Sequence, residues 1–300
     1  NWADYIDESL LDEFEVCYKE QTGEEVEIIY QLFDINEVML AKIEKGHEDF
    51  DVVCPSEYII DRMLANDMLL PINRDFGKTP DYIKNVSPYV LEQFAKLDKP
   101  DKRANDYSVG YMWGTTGILY NPKFVTDDEV KSWGIIWDKR FEGKILVKDA
   151  YRDIYGPMIM YGRYQDILSG KVTREQLMND SSDEAIATVE KLLKDAKKNI
   201  AGWEVDFGKE MMTKEKAYIN VSWSGDAVWA IEEAAAVDVE LRYYVPQEGS
   251  NVWFDGWVIP KYAVNTKAAA YFINFMCMPE NALRNMDEIG YVSVIASPEI

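Results

Sequence analysis

Residues 8–67 decide the fold: ESLLDEFEVCYKEQTG (8–23), EVEIIYQLF (25–33), NEVMLAKIEKG (36–46), FDVVCPS (50–56) and SEYIIDRMLAND (56–67). The first stretch places Leu10, Leu11, Phe14 and Val16 at helical spacing before a Thr22-Gly23 stop, so it reads as a helix. The second reads as a strand. The third reads as a helix from Asn36 to Gly46. The fourth is a short apolar strand stopped by Pro55. The fifth is another helix, with Ser56 at the N-cap position. A β-α-β-α order predicts an α/β fold with a largely parallel sheet covered by helices. Ligands of such sheets sit beyond the C-terminal strand ends, the edge that carries Ser56 and Tyr58.

Working outward, the middle of the chain reads as a second α/β unit. GTTGILYNP (114–122), KILVKDA (144–150) and KAYINVSWSG (216–225) are strands, the last running into a glycine turn. SSDEAIATVEKLLKDAKKN (181–199) is an amphipathic helix. LRYYVPQEGSNVWFDGWVIP (241–260) gives two extended segments around a turn, and TKAAAYFINFMCMPENALRN (266–285) reads as one helix. The chain is expected to form two lobes joined by a hinge, passing between them near Gly114–Gly117 and returning near Tyr244–Trp253. The first lobe takes 1–115 plus 250–300, the second 116–249. No GxGxxG, Walker loop or internal repeat is present.

Composition narrows the function. With 32 Lys+Arg against 54 Asp+Glu the formal charge is −22. Such a balance argues against nucleic acid, which is held by clustered basic residues, and against adsorption to anionic lipid. Residues 1–60 hold 17 acids and three bases, which reads as a solvated acidic face or as a field that draws in cations. Cys17, Cys54 and Cys277 make no paired spacing, so neither a zinc site nor a disulfide framework is expected. His47 is the one histidine and falls in a polar loop, which leaves no Ser-His-Asp triad and no two-histidine metal site. No cofactor is called for. No apolar run approaches the roughly 20 residues of a membrane span. A targeting segment was either removed ahead of Asn1 or never existed.

Four stretches repeat one theme, an aromatic ring near an acid: Trp2-Ala3-Asp4-Tyr5, Asp149-Ala150-Tyr151-Arg152-Asp153, Trp223-Ser224-Gly225-Asp226 and Trp253-Phe254-Asp255. In the last, the i, i+2 spacing on a strand turns ring and carboxylate to one face. An organic ammonium needs both groups. One close ion pair is on the order of 4 kcal/mol at an effective dielectric near 20, before desolvation. A desolvated cation–π contact adds roughly 2 kcal/mol, and each buried methylene about 0.8 kcal/mol. The same residues also read as core aromatics and turn-forming acids. Three aspartates, Asp153, Asp226 and Asp255, could also serve as an acid/base set in a carbohydrate-binding or carbohydrate-hydrolysing protein, although no activated nucleophile accompanies them. The adjacent Tyr243-Tyr244 raises a third reading, a ferric-ion receptor of the same architecture.

At these residues the chain resembles the periplasmic polyamine-binding proteins, the spermidine/putrescine receptors of ABC transporters. The resemblance is carried by NWADYI (1–6), FDVVCPSEY (50–58), DYSVGYMWGTTGILYNP (106–122), SWGIIWD (132–138), EGKILVKDAYRDIYG (142–156), YINVSWSGDAVWA (218–230), EGSNVWFDGWVIP (248–260) and INF…IGY (273–291). It implies a type II solute-binding protein, two α/β lobes that close on a polyamine by hinge motion, and delivery to a membrane permease. It also implies an extracytoplasmic location, periplasmic or lipid-anchored, and a monomer. Trp2 and Tyr5 match aromatic wall positions, with Asp4 an acid beside them. Ser56 and Tyr58 match polar contacts. Asp153 stands where the family has an ammonium-binding glutamate, one methylene longer. Trp223 matches a ring over the aliphatic chain, and Asp226 an acid of the putrescine type. Trp253 and Asp255 match the central ring and carboxylate, and Tyr291 a late aromatic contact. Ala150 replaces an aspartate of spermidine receptors, which tilts the expectation towards the shorter diamine.

Overall fold

The computed structural model describes residues 1–46 and 50–296; His47 lies outside the described residues. Its strands are β1 (Leu69–Leu70), β2 (Ser108–Tyr120), β3 (Ile145–Lys148), β4 (Ile200–Glu204), β5 (Ile219–Trp223), β6 (Arg242–Tyr244), β7 (Val252–Pro260) and β8 (Val292–Ser293). Two units form, Asn1–Trp113 with Trp253–Ile300 and Gly114–Val252. The chain leaves the first unit within β2 and re-enters it within β7.

In the first unit the helix Ser9–Thr22 buries Leu10, Phe14 and Tyr18. It stops at Gly23, whose left-handed φ of 77° lets its N–H return to the Lys19 carbonyl at 2.8 Å. The Phe14 ring lies 5.2 Å from Phe272 and Tyr18 lies 5.4 Å from Tyr271, both edge-on. These partners sit on the helix Thr266–Met276, buried continuously from Ala269 to Met276. The single helix expected over 266–285 is two, Thr266–Met276 and Pro279–Ile289. Pro279 has no N–H for a preceding turn, so it opens a new helix at its N-terminal end.

The expected parallel sheet does not form here. β1 pairs with β7 and β8 with β2, both antiparallel. FDVVCPS makes no ladder strand; Val53 and Ser56 bridge Val258 and Asp255, also antiparallel. The stretch 25–33 is likewise no strand, although its side chains alternate, with Ile29 80% exposed between half-buried Ile28 and Tyr30. Only Phe33 bridges, to Trp2. Alternation fixes which way side chains point, but a strand also requires a neighbour for its backbone groups. Successive apolar runs take their partners from β7, which enters from the far end of the chain, so sequence order does not set strand direction.

The second unit is a sheet with helices on both faces. β3 runs parallel to β4 and β5, while β2 runs antiparallel to β5 and β6. Ile118, Val147 and Val221 turn to one face, under the helices Tyr151–Gly162 and Asp183–Ala196. Leu119 and Leu146 turn to the other, against Ala227 and Ala230 of the helix Ser224–Ala235. That helix begins directly at the expected glycine turn after β5. Cys54 and Cys277 are buried and Cys17 half-buried, all three as thiols. Among the described residues no helix is long and apolar enough to cross a membrane.

One close approach tests this packing. A Cβ added at Gly117 would stand 2.5 Å from the Tyr243 ring. Gly117→Ala is expected to cost about 1–3 kcal/mol, because a ring in a packed sheet face has little room to give. Urea unfolding followed by circular dichroism reads this directly.

Candidate functional site

The first unit builds its site around Asp255. β7 carries Trp253 and Asp255 two residues apart, and Asp255 is 4% exposed. Its Oδ2 accepts from the Tyr5 hydroxyl at 2.8 Å and its Oδ1 from the Ser56 hydroxyl at 2.6 Å. Ser56 does sit at the N-cap of the helix Glu57–Ala65, yet its hydroxyl caps no backbone N–H. The bridge to Asp255 brings the carboxylate within reach, and a charged acceptor outcompetes a helix terminus.

Asn36 orders the next layer. Its amide donates to the Ser56 hydroxyl at 3.0 Å and the Tyr58 hydroxyl at 3.1 Å, and its Oδ1 accepts the Ser56 N–H at 3.2 Å. The Tyr58 hydroxyl donates onward to Glu37 at 2.8 Å. Rings gather beside Tyr5, the Asp255 partner. Tyr291 lies 5.1 Å from Tyr5 and 5.5 Å from Trp253 between centroids. Trp2 donates its indole N–H to the Cys54 carbonyl at 2.9 Å and packs 4.8 Å from Phe33. Asp4 is exposed, on left-handed backbone with φ 49°.

The electrostatics follow from one buried charge. Burial first, and then the Asp255 charge, hold the Tyr5 phenol and the Cys54 thiol well above their ordinary ranges. Tyr5 therefore stays a donor at any physiological pH. A carboxylate held by neutral hydroxyls remains attractive to a cation, because hydrogen bonds stabilise the charge without cancelling it.

The second unit carries its own carboxylate set. Asp153 lies in the first turn of the helix Tyr151–Gly162, where the helix dipole favours a negative charge. It accepts from the Thr116 hydroxyl at 2.9 Å, the Asn251 amide at 2.8 Å and the Trp223 indole. Burial raises its carboxyl above the usual range, and these three donors offset only part of that. Asp226, in the first turn of Ser224–Ala235, faces two lysines: Lys148 at 3.3 Å and Lys209 at 4.0 Å. Trp223, which caps that helix, receives the Lys148 ammonium 4.2 Å from its ring centroid.

Among the sequence candidates, the structure thus joins Tyr5, Ser56, Asp255, Tyr291 and Trp253 in one unit, and Asp153, Trp223 and Asp226 in the other. Sequence reading missed Asn36, Thr116, Asn251, Lys148 and Glu204. Polar residues at strand ends leave little signal, but Lys148 does leave one: it occupies an inward position of an otherwise apolar ILVK strand. Tyr243 and Tyr244 take successive positions of β6, which alternate in face. Tyr243 donates to the Thr115 carbonyl at 3.0 Å, and burial keeps its phenol protonated. Tyr244 is more exposed, on the alternate position of β6. Among the described residues no group of three or more His, Cys, Asp or Glu could hold a metal.

Comparison with known proteins gives the family. The family model for bacterial extracellular solute-binding proteins matches residues 10–298, and the chain belongs to that family. It has the α/β fold of the two-lobed periplasmic binding proteins and is a solute-binding protein, not an enzyme. It is 29% identical over 293 residues to the spermidine/putrescine-binding periplasmic protein of Escherichia coli, covering 97% of this chain and 75% of that one. The structure of the spermidine/putrescine ABC transporter substrate-binding protein PotD from Streptococcus pneumoniae superposes with a TM-score of 0.71 at 34% identity, covering 98% of this chain and 81% of that one. The TpPotD lipoprotein of Treponema pallidum shares the fold, with a TM-score of 0.78 at 24% identity over 100% of this chain and 88% of that one.

The raised Asp153 carboxyl makes a stability prediction. The folded state holds this proton more tightly than the unfolded chain does. Stability from this group therefore falls as pH rises from the ordinary carboxylate value through the raised folded value. Asp153→Asn, which does not titrate, is expected to melt higher than the wild type at pH 7 without ligand. The gap should close as pH drops below about 4. Thermal melts at both pH values check it, and a lower melting temperature for the variant at pH 7 would contradict burial as the dominant cause.

Proposed function

We propose that the chain is an extracytoplasmic receptor that captures a small polyamine, putrescine or spermidine, and hands it to an ABC-transporter permease. The observation that carries this reading is the Asp255 carboxylate, buried among the Tyr5, Tyr291 and Trp253 rings and held by two neutral hydroxyls. An ammonium would gain a charge-assisted hydrogen bond there and cation–π attraction from the rings, and its methylenes would be covered by the same rings. Ser56 and Tyr58 supply the polar support, and Trp2 and Asp4 precede Tyr5 in sequence. In the other unit Asp153, beside Trp223, is a further buried carboxylate with the chemistry to hold an ammonium. Relatives named for spermidine and putrescine binding support this class of ligand.

The protein acts as a monomer outside the cytoplasmic membrane, in the periplasm or on a lipid anchor. A sugar receptor would be served by rings and acids too. The relatives named for spermidine and putrescine favour the cationic ligand.

A thermal-shift panel of putrescine, spermidine and neutral sugars tests the reading. The polyamines are expected to raise the melting temperature by mass action, and the sugars to leave it unchanged. Asp255→Ala is expected to lose more than about 2 kcal/mol of polyamine affinity, roughly 30-fold, because the ammonium would lose its buried partner. Calorimetry with unchanged polyamine affinity in a folded Asp255→Ala protein would remove Asp255 from the site.

A further inference from the structure

β3 consists of Ile145, Leu146, Val147 and Lys148, all buried. Strand alternation places Lys148 on the face of Leu146, the face that packs against the helix Ser224–Ala235. The side chain runs to the first turn of that helix and ends 1% exposed. Its ammonium meets the Val205 carbonyl at 2.8 Å, Glu204 Oε1 at 2.9 Å and Asp226 Oδ2 at 3.3 Å. The Trp223 ring covers it, with the nitrogen 4.2 Å from the centroid. The ammonium donates hydrogen bonds to the Val205 carbonyl and Asp226, Glu204 Oε1 adds an ion-pair contact, and a ring face covers it. Burial would by itself favour the neutral amine, but Asp226 and Glu204 outweigh it and keep the group charged.

This environment has the chemistry expected around a ligand's ammonium: carboxylates that neutralise it, a carbonyl that accepts, and a ring that covers. The occupant is the protein's own side chain. With Lys209 at 4.0 Å from Asp226, two lysines balance Glu204 and Asp226. Asp153, by contrast, accepts its hydrogen bonds from neutral groups, Thr116, Asn251 and Trp223, and feels the Lys148 charge only as a weaker attraction, with no close ion pair among the described residues.

We infer that Lys148 is a specificity-determining residue: a tethered ammonium that fills the Trp223–Glu204–Asp226 cation pocket and so withholds that pocket from the ligand. Asp226 then serves the protein's own lysine rather than the solute, and Asp153 is the carboxylate this unit offers. This assignment rests on the polyamine reading for its consequence, but the pocket itself can be tested without any polyamine.

Lys148→Ala removes the atoms of an n-propylammonium ion. The variant is expected to melt well below the wild type, and n-propylammonium chloride should restore much of the loss saturably. Sodium chloride at equal ionic strength and n-propanol at equal concentration should not. If the single variant fails to fold with or without the ion, Lys148→Ala/Glu204→Gln keeps the space and Asp226 while removing the uncompensated buried glutamate, and the same saturable stabilisation is expected. A folded variant that n-propylammonium stabilises no more than sodium chloride does overturns the inference. In the variant that takes up the ion, the spermidine-to-putrescine affinity ratio is expected to rise at least about tenfold over the wild type, since one more ammonium can be held. An unchanged ratio overturns the specificity role. A wild type that binds neither polyamine, alongside clear n-propylammonium rescue, would defeat the polyamine reading and leave the cation pocket standing.

Discussion

A carboxylate taken out of water must be stabilised by something, and the choice of partner decides what the site can do. Asp255 is nearly fully buried, and its oxygens receive hydroxyls from Tyr5 and Ser56. That arrangement shapes its surroundings. Ser56 gives up its helix cap to serve Asp255, and Asn36 is fixed so that it can orient Ser56 and Tyr58. The Tyr5 phenol is driven towards permanent protonation by burial and by the neighbouring charge. Hydrogen bonds alone leave the unit charge in place, and a charge in a ring-lined, low-dielectric setting is a strong discriminator for an organic cation over a neutral solute.

The second unit shows both solutions side by side. Glu204 and Asp226 are met by lysines, and Asp153 by neutral donors. A buried pair of the first kind contributes little net stability, because desolvation consumes most of the attraction, but it holds its members in one place. The second kind stores an unfavourable burial that a bound ammonium would relieve. Within one unit, then, charge that maintains the architecture can be separated from charge that is offered to a ligand. The net charge of −22 says nothing about that division.

Much of the fold can be read in the sequence where a local rule decides it. The helix of residues 8–23 announces its apolar stripe and its glycine stop, and β2, β3 and β5 announce themselves as apolar runs. Reading fails where distant chain decides. The alternating stretch 25–33 has the pattern of a strand but not the neighbour, and the direction of pairing around Val53 and Ser56 depends on β7, some 200 residues later. Pro279 is a local signal that a long apolar pattern obscured. At the site, ring–acid pairs such as Trp253 and Asp255 stand out because strand alternation projects them together. Lys148 stands out as a charge in an apolar strand, but its pairing with Glu204 does not, because the two lie 56 positions apart and only the parallel pairing of β3 with β4 brings them together.

A receptor for a short aliphatic cation must bind through the positive charge and not through the chain alone. Isothermal titration with 1,4-diaminobutane and with its uncharged isostere 1,4-butanediol tests it most directly. Two ammonium groups, each worth at least ~2 kcal/mol against a buried carboxylate, predict that the diamine binds roughly a thousandfold or more tightly than the diol. Comparable heats and affinities for the two, or no binding of the diamine, would contradict the account.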